Sequence, residues 1–269
     1  MFFLLYPLLF FPLLTQADVF QWVDNNGNKH FSDRPHPGSK ILHISPGYTY
    51  YQVKKVYDGD TVLLTNGQKV RFLGINTPEV EGRHKLAQIG GKEAKLWLQQ
   101  KLKNTKIRLE KDVEKKDKYG RLLAHVFTED KQHINLQLIE KGMATVNIHP
   151  PNLKYTDDLL LAEKKAEHNR LGIWGYKEYA PKQLSQFNQS STKGWQRIMG
   201  RIKNIQQGRK YIYLNLSDTF TLKIKQKGSE LFPKLESYLN KQVEARGWIK
   251  KHKSRYSMLI RHPSAIIQR

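Results

Sequence analysis

Three short segments within 64 residues carry the side chains able to do chemistry: Asp58-Gly59-Asp60-Thr61, then Arg71 through Asn76-Thr77-Pro78-Glu79, then Asp117-Lys118-Tyr119-Gly120-Arg121. Together they offer oxygen ligands for a hard cation, a carboxylate able to act as a base, and two guanidinium groups. Phosphodiester hydrolysis needs that inventory. Barriers of this kind must fall by up to about 20 kcal/mol, and one general base supplies only about 10²–10⁴-fold. Several fixed positive charges must therefore share the charge that develops in the transition state.

Asp58 and Asp60 are two apart, so in an extended segment their carboxylates point to one side. A tight turn at Asn66-Gly67 pairs residues whose numbers sum to 133, which sets Asp60 opposite Leu73 and near the strand end carrying Asn76 to Glu79. Oxygen-only ligation there suits Ca²⁺ or Mg²⁺ and not zinc. Arg71 shares a strand face with Leu73 and Ile75, and a guanidinium so placed needs an anion: Asp58, Glu79, Glu110 or a substrate phosphate. Planar bidentate donors such as Arg71 and Arg121 suit phosphate oxygens better than lysine.

The motifs V-x-D-G-D-T, V-R-F-L-G-I-N-T-P-E, G-K-E-A at Gly91, D-K-Y-G-R-L-L-A and N-x-x-L-I-E-K-G-M-A occur in this order between Tyr50 and Trp174. With them the chain resembles the staphylococcal nuclease (thermonuclease) family over about half its length. The resemblance implies a Ca²⁺ bound by Asp60, the Asn76 side chain and the Thr77 carbonyl. It implies Glu79 as general base, Arg71 and Arg121 as the phosphate clamp, and Lys118 and Tyr119 on the neighbouring phosphate or sugar. Two departures stand out. Asn76 occupies the place of an acidic metal ligand, and the family's nucleoside-flanking tyrosines are replaced around Asn147–Pro150, with Tyr155 a candidate substitute.

Positioning these residues calls for a mainly β fold with some α (α+β): an OB-fold nuclease barrel with flanking helices, plus a second, smaller OB-like barrel. Strands from Tyr50 onward, helices at Lys92–Leu102 and Asp157–Arg170, and a short helix from Asn135 to Gly142 make up residues 47–180. Residues 194–269 read as strand (Gln196–Ile205), strand (Tyr211–Leu216), strand (Phe220–Lys225), helix (Ser229–Leu239), strand (Gln242–Ile249) and strand (Tyr256–Ile260). Tyr211 and Tyr213 share the outer face of the second strand, beside Arg209 and Lys210, where they can stack on bases. The polar stretch 181–193 reads as a linker.

Residues 18–46 form a small β-hairpin module, too short for a core of its own, so Phe20 and Trp22 are expected to seek cover on the next domain or a partner. Met1 to Ala17 carries no charged side chain and reads as an export signal cleaved after Ala17. That predicts a periplasmic or secreted protein with no stable membrane span. The absence of cysteine means a fold stable without disulfides.

Lys and Arg number 46 against 24 Asp and Glu, a net charge of +22, which points to a polyanionic partner. More than half of this sits in residues 194–269, where 17 basic residues face 4 acidic ones. The reading that results is an exported Ca²⁺-dependent nuclease, monomeric and without a small-molecule cofactor, cutting DNA and RNA to 3′-phosphate products. The alternatives are a non-catalytic nucleic-acid-binding protein on a degenerate nuclease barrel, or an envelope protein binding anionic glycolipid. The ten histidines show no metal-ligand spacing and are assigned to core or solvent.

Overall fold

The computed structural model describes residues 19–42, 48–82, 87–187 and 194–269. The expected export signal and part of the expected linker lie outside the described residues. The chain forms two compact units, Met1–Thr49 and Tyr50–Arg269. Among the described residues, no helix is long and apolar enough to cross a membrane.

The first unit is a three-stranded antiparallel sheet, not a bare hairpin: β1 (Val19–Val23) lies between β2 (Lys29–Ser32) and β3 (Lys40–Leu42). Asp24 closes the β1–β2 turn by accepting hydrogen bonds from the Asn26 and Asn28 amides at 2.9 Å. Trp22 takes its cover from its own module, stacking on His30 at 5.3 Å and His36 at 4.3 Å.

The second unit opens with β4 (Tyr50–Asp58), β5 (Thr61–Leu64), β6 (Lys69–Phe72) and β7 (Ile75–Asn76), then α1 (Gly91–Lys101), β8 (Lys106–Glu110) and β9 (Leu122–Thr128). It continues with α2 (Ile134–Glu140), β10 (Thr145–Val146) and α3 (Thr156–His168). Five strands close a barrel in the order β4-β5-β6-β9-β8, with β6 and β9 parallel, the OB-type arrangement. Alternating apolar residues from these strands fill it: Val62, Leu64, Val70, Phe72, Ile107 and Val126 are buried. Ala94 and Leu98, one helical turn apart on α1, close it on one side. Acids in the first turn of α3 and Lys165 and His168 in its last complement the helix dipole.

The β5–β6 register is one residue tighter than the sequence reading. Thr61 pairs with Arg71, Val62 with Val70 and Leu63 with Lys69. The cause is a three-residue loop: the Leu64 amide donates to the Gln68 carbonyl at 2.9 Å, and Gly67 takes φ 83°, a left-handed value open to glycine. Asp60 therefore faces Phe72, whose amide donates to the Asp60 carbonyl at 2.9 Å, and not Leu73.

The remaining strands are β11 (Lys182–Gln183), β12 (Trp195–Arg201), β13 (Asn204–Gln207), β14 (Tyr211–Asn215), β15 (Phe220–Lys225), β16 (Gln242–His252), β17 (Arg255–Ile260) and β18 (Ile266–Gln268). They pair in the order β12-β16-β17-β15-β14-β13, with β15 and β17 parallel. This repeats the pairing of the first barrel with one difference. The first strand, expected to run unbroken through Gln196–Ile205, is interrupted at Ile202–Lys203. There the Ile202 amide donates to Lys241 on the β16 side (3.0 Å) and the Lys203 amide to Asn215 on the β14 side (2.8 Å), so the backbone changes partner without losing hydrogen bonds. The expected helix at Ser229–Leu239 is instead two 3₁₀ turns, Ser229–Leu231 and Leu235–Tyr238, on either side of Pro233, which cannot donate the helical hydrogen bond. Within the expected linker, β11 adds to β12 in parallel, and Leu184 and Phe187 pack on the second core.

The two barrels of this unit are locked together. Trp174 and Trp195 meet at 6.0 Å, and around them Arg197 and Arg246 of the second barrel meet Glu163 and Glu167 of α3. Glu244, wholly buried, accepts from both Arg197 and Arg246 at 2.7 Å and also pairs with Arg269. Although burial opposes its charge, these guanidinium groups hold the Glu244 carboxyl down at about 2.

Candidate active site

The Asp58–Thr61 segment is a tight turn between β4 and β5, not an extended segment: Asp58 pairs with Thr61, and the Asp60 amide donates to an Asp58 carboxylate oxygen at 3.1 Å. Only glycine fits its centre. A Cβ on Gly59 would stand 2.6 Å from Thr77 Cγ2, and that close approach presses the turn against the β7 end. As a result Asp60, 4% exposed, accepts from the Thr77 amide at 2.8 Å and from the Thr61 hydroxyl at 3.0 Å. Burial, then the neighbouring charge of Asp60, raises the Asp58 carboxyl to about 6.

The anion that Arg71 meets is Asp60, at 3.0 Å, rather than Asp58, Glu79 or Glu110. Its guanidinium also donates to the carbonyls of Phe72 (2.8 Å) and Ile75 (3.0 Å) and to Asn76 Oδ1 (3.2 Å). Asn76 in turn donates to the Thr77 carbonyl at 2.9 Å. Asp60, Arg71, Asn76 and Thr77 are thus one hydrogen-bonded cluster. The Thr77 hydroxyl within it is buried and has no hydrogen-bond partner.

Glu79 is half-buried just beyond Pro78. Its backbone is clamped by Gln88, which accepts from the Glu79 amide at 3.1 Å and donates to its carbonyl at 2.9 Å. The start of α1 packs directly on this segment, since a Cβ at Gly91 would come within 2.5 Å of the Glu79 carbonyl.

Arg71 and Arg121 line one cleft of about 770 Å³, together with Lys118 and Tyr119. Asp60, Asn76, Thr77 and Glu79 are outside its lining, and Arg71 is the link between cleft and carboxylate cluster. Arg121 is held by Asp117, with both Nε and a terminal nitrogen at 2.7 Å. Tyr119 projects into solvent, with Lys118 and Arg121 over its ring at 4.9 and 5.6 Å.

Tyr155 is no substitute for the replaced tyrosines. Its hydroxyl donates to Glu110 at 2.8 Å and its ring packs against His125 at 4.8 Å, away from the cleft. The cleft wall is instead made by Asn147 and His149, 3.1 Å apart, and by Arg261 of the second barrel. The sequence reading had assigned every histidine to core or solvent. His149 was missed for want of a motif, and Arg261 because only the packing of one barrel on the other brings it there. Although His149 reaches solvent, the cleft walls and then Arg261, Arg71 and Lys225 push its imidazole down to about 4.

Tyr211 and Tyr213 lie on β14 with rings 6.3 Å apart, and Lys210 stands over Tyr211 at 5.7 Å. Tyr213 lines a concavity of about 410 Å³ with Lys223, Arg255 and Tyr256, whereas Tyr211 is outside that lining.

A closed OB-type barrel here carries a guanidinium-lined cleft beside a carboxylate cluster, groups suited to binding a phosphodiester. Comparison with known proteins agrees. Residues 69–176 match the family model described as Staphylococcal nuclease homologue, and residues 8–47 match a domain of unknown function. The chain is 41% identical over 159 residues to the thermonuclease of Staphylococcus intermedius, covering 58% of this chain and 88% of that one. It is 37% identical over 127 residues to the thermonuclease of Staphylococcus hyicus (46% and 75%). To the endonuclease YncB of Bacillus subtilis it is 35% identical over 130 residues (46% and 61%). The chain belongs to the staphylococcal nuclease family. It is a nuclease, and nucleic acid is its substrate.

Proposed function

We propose that the protein is an exported, Ca²⁺-dependent nuclease that hydrolyses DNA and RNA to 3′-phosphate products, with residues 47–180 as the catalytic domain. The observation that carries this reading is Arg71, which at once lines the cleft and bonds Asp60 and Asn76. A phosphodiester seated between Arg71 and Arg121 would have its non-bridging oxygens met by two planar donors. Both are already oriented, Arg121 by Asp117 and Arg71 by Asp60 and two carbonyls, so little reorganisation is needed as charge develops. Glu79, fixed by Gln88 and α1, would take the proton of the attacking water.

The chemistry of the donor set fits a hard cation. Two adjacent carboxylates, one raised to about 6 by burial and by the other, lie beside an unpartnered threonine hydroxyl. Asp60, the Asn76 amide oxygen and the Thr77 carbonyl would hold the ion. When bound, Ca²⁺ supplies positive charge next to the phosphoryl oxygens. Export rests on residues 1–17, and Tyr211 and Tyr213 are read as base-stacking residues beside the basic β13–β14 turn.

Plasmid cleavage with Ca²⁺, and its loss in chelator, tests the activity. Glu79→Gln and Arg71→Ala should each lower turnover by at least about 10²-fold while the protein stays folded. Near wild-type turnover in either folded variant would overturn the assignment of that residue.

A further inference from the structure

Arg261 follows the end of β17, in the second barrel, yet it lines the same cleft as Arg71 and Arg121 of the first. It also lines a neighbouring groove of about 620 Å³, which runs between Pro150 and Pro151 on one side and Lys225, Lys227 and Phe232 on the other. Cleft and groove share Glu114, His149 and Arg261, so they form one trough leading from the first barrel onto the second. Its lining holds eight Lys and Arg side chains against three acids. Of those acids, Asp117 is paired with Arg121, and Glu230 accepts from the Gly228 amide at 2.8 Å. Lys225 and Lys227 are exposed, as is Arg261.

A row of cations that begins at a phosphate cleft and continues along a groove matches the repeating phosphates of an extended strand better than it matches a compact anion. We propose that Arg261, Lys225 and Lys227 bind the backbone phosphates of single-stranded polynucleotide where it leaves the Arg71–Arg121 cleft, so that the second barrel is a wall of the substrate path. This rests on the nuclease reading of the cleft. It gives the buried Arg197–Glu244–Arg246 network a purpose, since Arg261 keeps its place in the cleft only while the two barrels stay locked.

The test uses the full chain and two probes: a labelled deoxyoligonucleotide about 12 nucleotides long, and a nitrophenyl ester of thymidine 5′-phosphate, which is too short to reach Lys225 and Lys227. Binding of the oligonucleotide is measured in chelator at several salt concentrations, so that it does not depend on turnover. Arg261→Gln and the pair Lys225→Ala with Lys227→Ala should each weaken binding by about tenfold, and the log–log salt slope should fall by about 0.7 for each cation removed. Arg261→Lys should keep the wild-type slope. The lysine pair should lose several-fold more in oligonucleotide binding than in hydrolysis of the ester. Unchanged oligonucleotide affinity and slope in both Arg261→Gln and the lysine pair would overturn the proposal, and so would a lysine-pair variant that loses ester hydrolysis as much as oligonucleotide binding. Failure of the nuclease reading would show separately, as a wild-type protein that binds the oligonucleotide with the expected slope but cleaves neither probe.

Discussion

The two barrels of the second unit share one strand order and differ in what they place at the same hairpin. In the first, the turn between the first two strands is Asp58-Gly59-Asp60, pressed on Thr77 and bonded to Arg71. In the second, the matching turn from β13 to β14 is Gly208-Arg209-Lys210, followed by Tyr211. One hairpin concentrates carboxylates and the other concentrates cations. Equivalent backbones thus carry opposite electrostatics: Asp58 and Asp60 beside Arg71 in the first, Arg209 and Lys210 in the second. The lesson is that strand order supplies the frame, and the charge set on one turn decides what the frame can do.

The sharpest way to break the comparison is to separate the barrels. Arg246→Ala would leave Glu163 buried without its guanidinium, while Glu244 keeps Arg197 and Arg269, a change expected to cost about 3–5 kcal/mol in urea unfolding. Replacing Arg246 by Met and Glu163 by Gln together should recover much of that loss, because Glu244 keeps Arg197 and Arg269, Glu167 keeps Arg197, and no buried carboxylate is then left without a guanidinium. A cost below about 1 kcal/mol for Arg246→Ala would mean that the network does not couple the barrels.

A second contrast lies in acid. Burial lowers His125 to about 4, and burial together with His125 lowers His133 to about 3. A buried imidazole with a depressed value stabilises the fold above its unfolded value of about 6.5, and that stability is lost as pH falls through 4 and then 3. Glu244, held at about 2, contributes stability above the unfolded carboxylate range near 4.5 and loses it only as pH falls through 2. The first barrel should therefore weaken at higher pH than the contact between barrels. Stability measured from pH 7 to 4 should fall by on the order of 2 kcal/mol more in the wild type than in His125→Gln. Parallel curves for the two proteins would refute the assignment.

The smallest expected effect sharpens the difference between the hairpins. Asn76→Asp adds a carboxylate to the first barrel's cluster and should lower the half-saturating Ca²⁺ concentration by about tenfold, or about 1.4 kcal/mol. An unchanged Ca²⁺ dependence would remove Asn76 from the ligand set.

Much of the first barrel was legible because its signals are local. Asn66-Gly67 marks a turn, Ala94 and Leu98 lie one helical turn apart, and the D-G-D-T and D-K-Y-G-R motifs name their own side chains. Local signals misled where a single hydrogen bond or residue chose between near-equal forms. The Leu64–Gln68 bond slipped the hairpin register by one, Pro233 divided an expected helix, and Ile202–Lys203 divided an expected strand. Tyr155 was an attractive substitute by position along the chain, but its hydroxyl found Glu110 instead.

The sequence by itself determined which groups this protein has for chemistry and on which strands they ride, because side-chain type and the alternation of a strand are properties of neighbours in the chain. It also determined that the charge is concentrated toward the end of the chain. Only the tertiary structure decided which groups meet. Arg71 pairs with Asp60 because Gly59 lets the turn close on Thr77. Arg197 and Arg246 find Glu163 and Glu167 across a buried contact, and Arg261 enters a cleft built from residues more than a hundred positions earlier. Such meetings depend on the packing of one complete barrel on another, and no window of sequence contains both sides of that contact.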